Sequence, residues 1–258
     1  EAPTMSPPSA MRVGLIVDSA CDLPYEFRRK HGLFILPVTA VIDGQTYVDT
    51  HDPVRTQEFY QSGLLQKGHH AETRAFTTEQ IYSLFMEQIV TQFDIAICET
   101  VTRSRSQIFQ NATEAMNAVM ANYEQARAAA GRTGKFSMRV IDSKQIFAGQ
   151  GLLAAHTLRL IGQKLSKNAL RHEVETFTDR IYTCVIPRDL HYIRERARRR
   201  GDGRLHKVRP VWKSCSEPPR HRADAVTGTR SRRWRGIATP SRRRSYGGTS
   251  RRWRGAPE

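Results

Sequence analysis

The sequence predicts an α/β protein: a mainly parallel sheet flanked by helices, followed by a second α/β domain that is incomplete. Three observations carry this expectation. Short β-rich apolar runs alternate with helical patterns over residues 12–202. The runs are almost continuously apolar, as strands buried on both faces require. Three of them end in small polar loops, at Asp18-Ser19, Thr100–Ser106 and Asp142-Ser143. Strands joined through helices at this spacing imply right-handed crossovers, with helices on both faces of the sheet.

The elements follow in order. Arg12–Val17 (RVGLIV) reads as the first strand, and Asp22-Leu23-Pro24 then offers an N-cap and a proline to open a helix through about Lys30. Phe34–Ile42 reads as one strand, turned by Asp43-Gly44 into Thr46–Val48. Asp52-Pro53 begins a helix carrying Phe59 and Tyr60, and a polar loop is expected over Gly63–Ala75. Thr77 and Gln80 stand at capping-box spacing ahead of the stripe Ile81, Leu84, Phe85, Ile89. Phe93–Cys98 is the next strand, then a long helix to about Ala130, then the strand Phe136–Ile141. Helices over Gln145–Leu165 and Asn168–Arg180, a strand over Tyr182–Ile186 and a basic helix over Asp189–Arg200 complete the pattern.

Charge divides the chain. Of 41 Lys+Arg and 25 Asp+Glu, residues 203–258 hold 16 and 3, so most of the net charge of +16 belongs to this segment. Apolar periodicity also stops near Gly201, and SRRWRG occurs twice, at Ser231–Gly236 and Ser250–Gly255. The expected organisation is an extension over 1–11, an α/β domain over 12–165, the start of a second domain over 166–202 and a basic, disordered tail over 203–258. Cys21, Cys98, Cys184 and Cys215 are scattered and form no C-x-x-C pair, which argues against a zinc knuckle or a disulfide framework. The scattered cysteines fit a reducing cytoplasm, and with no apolar run near the length of a membrane span a soluble protein is expected.

Hydroxyls gathered at the carboxyl ends of parallel strands are candidates for holding an anionic head group. Thr102-Arg103-Ser104-Arg105-Ser106 is the strongest case, because it precedes a long helix whose free N–H groups favour an anion. The alternative is that Ser104 or Ser106 simply caps that helix. Gly149–Ala154 matches G-x-G-x-x-A but falls inside a helical pattern, where close helix packing explains it better than a dinucleotide. His69-His70 reads as part of a solvated loop, with no acidic partner at metal spacing. Asp18 and Asp142 form a paired-carboxylate acid/base site only if the fold joins them, and capping and turn roles account for both.

Taken together, Val17–Pro24 (VDSACDLP), Leu36-Pro37-Val38, Ile42-Asp43-Gly44 with Tyr47 and Asp49, Ser106 through Gln110-Asn111-Ala112, and Val140–Ser143 with Gly149 and Gly151 resemble the DegV family of bacterial fatty-acid-binding proteins. Leu190–Arg194 extends the resemblance, which covers residues 12–202. It implies a long-chain fatty acid in a tunnel, its carboxylate near a domain interface, presented to a separate kinase subunit. The binding protein itself would be no enzyme and would need neither cofactor nor metal. Residue by residue, the resemblance carries the carboxylate-contacting hydroxyls to Thr73 and to Thr102 or Arg103, and a family arginine to Arg198. With Ser104 and Ser106 from the same loop, these are the expected fatty-acid-binding residues. Arg74, Arg103 and Gln107 depart from the family pattern, Gln107 standing in place of a glycine.

The tail departs further, because the family continues there with a second domain. An out-of-frame reading of a GC-rich gene accounts for its arginine-rich, aperiodic composition. A nucleic-acid-binding arm, with arginine on phosphates and Trp234 and Trp253 stacking on bases, is the alternative.

Overall fold

The computed structural model describes residues 11–66, 68–185 and Arg198. The chain divides into a unit ending at Ile186 and a second beginning at Pro187. The helix expected over 189–200, apart from the helical residue Arg198, and the segment 203–258 lie outside the described residues, as do residues 1–10.

The first unit is built on a four-stranded parallel sheet. Strand β1 (Val13–Asp18) lies between β2 (Phe34–Leu36) and β6 (Ile95–Thr100), and β7 (Ser137–Asp142) pairs with β6. Both inner strands are buried on both faces, which is why their sequences run apolar without alternation. Successive side chains serve opposite faces. Ile16, Ala96, Cys98 and Val140 meet helices α3 (Thr78–Leu84) and α4 (Ile108–Ala129), whereas Leu15, Val17, Ile97 and Ile141 meet α5 (Phe147–Gly162) and α6 (Lys167–Thr178). Helix α4 sends Ile108, Ala112, Ala115, Met116 and Val119 inward at three- and four-residue spacing.

Helix α1 (Tyr25–His31) opens after Pro24 without a side-chain cap, so Asp22 does not act as its N-cap. It ends where Gly32 takes the left-handed conformation and the Leu33 amide reaches back to the Arg28 carbonyl, a Schellman closure. The expected strand Phe34–Ile42 is in fact two. Pro37 carries no N–H, and the chain there leaves the parallel sheet. Strand β3 (Val38–Ile42) joins an antiparallel sheet of order β4-β3-β5, with β4 (Gln45–Asp49) and β5 (Ala71–Ala75). Asp43 and Gly44 both have positive φ, the geometry of a two-residue hairpin turn. Strand β5 corrects the loop expected over Gly63–Ala75. Its polar sequence, AETRA, hides its nature, and pairing with β3 supplies what composition does not.

Helix α2 (Pro53–Gln61) is capped by Asp52, whose side chain accepts from the Arg55 amide. The capping box on α3 forms in both directions, Gln80 N to Thr77 Oγ1 and Thr77 N to Gln80 Oε1. The helix then widens into a π-helical turn over Phe85–Ile89. After α6 the described residues 182–185 are irregular, so the strand expected from Tyr182 does not form there. Ser166 caps α6, and Leu170 and Val174 pack into the same core as α5.

Candidate functional site

Strand order places β1 and β6 side by side while their crossovers leave in opposite directions, β1 to β2 and β6 to β7. The carboxyl ends of β1 and β6 therefore flank the topological switch point, where open α/β sheets bind ligands. The loop after β6, residues 101–107, lies there. Its backbone is fixed by three neighbours: Asp18 Oδ2 accepts from the Val101 amide, the Gln145 carbonyl from Thr102 at 2.9 Å, and Asp142 Oδ1 from Arg103 at 3.2 Å. Within the loop Thr102 Oγ1 and Ser104 Oγ stand 3.2 Å apart, and the Arg105 amide turns back to the Thr102 carbonyl. Ser106 Oγ accepts from the Ile108 amide at 3.2 Å, so it serves the start of α4. The exposed Arg103 side chain places Nε 3.4 Å from Asp142 Oδ2.

The structure thus gathers Thr102, Arg103, Ser104 and Ser106 in one loop. Thr73 lies elsewhere, exposed on β5 opposite Ala40. The end of β5 is nevertheless tied to α4, because Asn111 Nδ2 donates to the Phe76 carbonyl at 2.7 Å. Buried Val101 and Ile108 share a hydrophobic cluster with half-buried Val38, Ala75, Phe76 and Ile146. Arg198 belongs to the second unit, where it is helical and exposed. A cleft of about 760 Å³ opens beside the end of β1, lined by Ser19, Asp22, Arg28, His51, Tyr60 and Phe147 among others; none of the six expected contact residues lines it.

A buried polar floor underlies the strand ends. Burial pushes the Asp18 carboxyl up to about 6, against the opposing effect of the Val101 and Ala20 amides. Burial pushes Glu99, on the α5 side of β6, up to about 8, and a bond from the Thr157 hydroxyl opposes it. Gln150 Nε2 donates to the Glu99 carbonyl at 3.2 Å. Asp18 and Asp142 are engaged by different loop amides, so they anchor the loop and do not form a shared carboxylate pair. The thiols of Cys21 and Cys98 are raised well above the usual range by burial first and neighbouring carboxylates second, which removes their nucleophilic form.

Sequence reasoning missed Glu99 and Gln150. The signals were a lone acid in the apolar run IAICET and a glutamine between Gly149 and Gly151. Those glycines are packed inside α5; a Cβ on Gly151 would press into the Asp22 carbonyl, which bears out the close-packing reading. His69 has a partner that spacing did not reveal, Asp43 Oδ2 at 2.5 Å from Nδ1. No group of metal-ligating side chains occurs among the described residues.

The chain is similar to known proteins over this same region. It is 42% identical over 192 residues to a DegV domain-containing protein of Xanthomonas axonopodis pv. citri, covering 74% of this chain and 61% of that one. A Xanthomonas campestris pv. campestris homologue is 41% identical over the same lengths. Among solved structures, a stearic acid-binding protein of Eubacterium ventriosum is 27% identical with a TM-score of 0.53, covering 63% of this chain and 52% of that one. A DegV family protein of Ruminococcus gnavus, solved with vaccenic acid, shares the fold at a TM-score of 0.60 and 17% identity, over 74% of this chain and 63% of that one. This chain spans about three fifths of the length of the Xanthomonas relatives. The model described as "Uncharacterised protein, DegV family" matches residues 12–213, and the chain belongs to the DegV family.

Proposed function

We propose that this chain binds a long-chain fatty acid, with the carboxylate held at the loop between β6 and α4, and presents it to a fatty acid kinase subunit. The observation that carries the reading is that loop: a pair of hydroxyls at the switch point, before a 22-residue helix, beside partly buried apolar residues packed against a buried core. The stearic acid bound by the Eubacterium ventriosum relative supports the ligand class. Thr102, Arg103, Ser104 and Ser106 are the proposed contacts within that loop, and Thr73 and Arg198 are proposed on the family resemblance alone.

Affinity comes from the alkyl chain. Burying some 14 methylenes at about 0.8 kcal/mol each gives roughly 11 kcal/mol before binding entropy is subtracted. The head-group residues fix orientation and satisfy a carboxylate that would otherwise be buried unpaired. Thr73→Ala and Thr102→Ala are each expected to weaken binding of a C16 acid by about tenfold, the scale of one hydrogen bond to a charged group. Titration with a fluorescent fatty acid measures this, and unchanged affinity in both variants refutes the assignment.

The charge of residues 203–258 favours a second reading, in which this segment binds nucleic acid and the α/β unit anchors it. That reading predicts binding to single-stranded DNA that falls steeply with salt and disappears on truncation at Gly201.

A further inference from the structure

Three consecutive amides of the loop after β6 are held by three elements: Asp18 takes Val101, the Gln145 carbonyl takes Thr102 and Asp142 takes Arg103. Each carboxylate also closes its own turn. Asp18 Oδ1 accepts from the Ala20 amide at 2.9 Å, and Asp142 Oδ1 accepts from Lys144 at 2.9 Å. Each therefore joins the end of its strand to the loop arising from β6.

We propose that Asp18 and Asp142 are positioning residues for the ligand head group. They fix the backbone of residues 101–103 so that the hydroxyls of Thr102, Ser104 and Ser106 present one arrangement to an anion. This inference rests on the fatty-acid reading above. Two physical arguments support it. A loop ordered before the ligand arrives does not lose that freedom on binding, so its contacts count in full. A carboxylate beside an anion site repels the anion less when donors face its oxygens: each Asp18 oxygen takes an amide, and both amides at Asp142 fall on Oδ1. Asp142 has in addition the Arg103 guanidinium, with Nε 3.4 Å from Oδ2. The D-S pairs at the ends of β1 and β7 thereby acquire a role that neither capping nor acid/base chemistry describes.

The test uses the full chain, palmitate as probe, and hydrogen–deuterium exchange of peptides covering residues 99–107. Asp142→Ala is expected to speed exchange at the loop and weaken palmitate affinity about tenfold, with the unfolding midpoint within a few degrees of the parent. Asp142→Asn keeps an oxygen for the Arg103 and Lys144 amides, and is expected to restore protection and most of the affinity. Asp18→Asn, which can accept only one of its two amides, gives an independent reading should Asp142→Ala not fold. Faster loop exchange with unchanged affinity overturns the positioning role, and unchanged exchange overturns the anchoring itself. A parent chain that takes up no palmitate counts against the fatty-acid reading, and exchange at the loop then decides the anchoring alone.

Discussion

Glu99 is sealed between β6 and α5 with Thr157 bonded to one carboxyl oxygen, while the other oxygen has no partner among the described residues. Its displacement to about 8 leaves it neutral at pH 7, whereas Asp18, at about 6, is mostly ionised there. In both cases the folded state holds the proton more tightly than the unfolded chain. Their joint effect is greatest stability below the ordinary carboxylate range, declining as pH rises toward about 6 for Asp18 and about 8 for Glu99. Glu99→Gln keeps an acceptor for Thr157 and removes the titration. The variant should gain thermal stability over the parent as pH is raised from 5 to 8, and parallel profiles across that range would contradict the assignment. The sequence made little of this visible. A single acid in an apolar strand marks a buried charge, but only the fold reveals that Thr157 and Gln150, more than fifty residues away, are its neighbours.

Pro37 shows how one residue redirects an element. The apolar run Phe34–Ile42 carries the composition of one strand, and the missing amide of Pro37 lets three residues pair with β1 before the next five enter another sheet. Ser19 accepts the Val38 amide through its hydroxyl and donates its own amide to the Leu36 carbonyl, bracketing the switch. Elements with strong local signals, such as the capping box of α3 and the Asp43-Gly44 turn, were legible in advance. Strand β5 was not, because an edge strand of polar residues is specified by its partner. Helix α4 is locked to the segment entering β6 and to the turn ahead of β7 by Arg127, whose buried guanidinium donates to the Val90, Phe93 and Gly134 carbonyls and to Asp94. Arg127→Ala strands those carbonyls, while Asp94 keeps the Arg132 guanidinium and the Arg12 amide, and is expected to cost about 1–3 kcal/mol in urea denaturation. A loss below about 1 kcal/mol would mean that water replaces the clamp. Gly151→Ala, which drives a methyl into the Asp22 carbonyl, should cost about 1–3 kcal/mol by the same measurement.

For the whole molecule, the α/β class and the position of the candidate loop at the strand ends were legible because parallel sheets impose apolar strands and send their polar loops to one edge. The placement of Thr73 was not, since it depends on the second sheet. The out-of-frame origin proposed for residues 203–258 is tested by reading the gene in independent isolates, and an uninterrupted shared frame contradicts it. Whether this chain holds a fatty acid decides the proposed function. Native mass spectrometry of the full chain purified from a bacterial cytoplasm, followed by denaturing extraction, addresses it most directly. Fatty-acid binding predicts a stoichiometric C16–C18 acid released on denaturation. Protein free of lipid that stays free after incubation with palmitate, or that carries nucleic acid in its place, would contradict it.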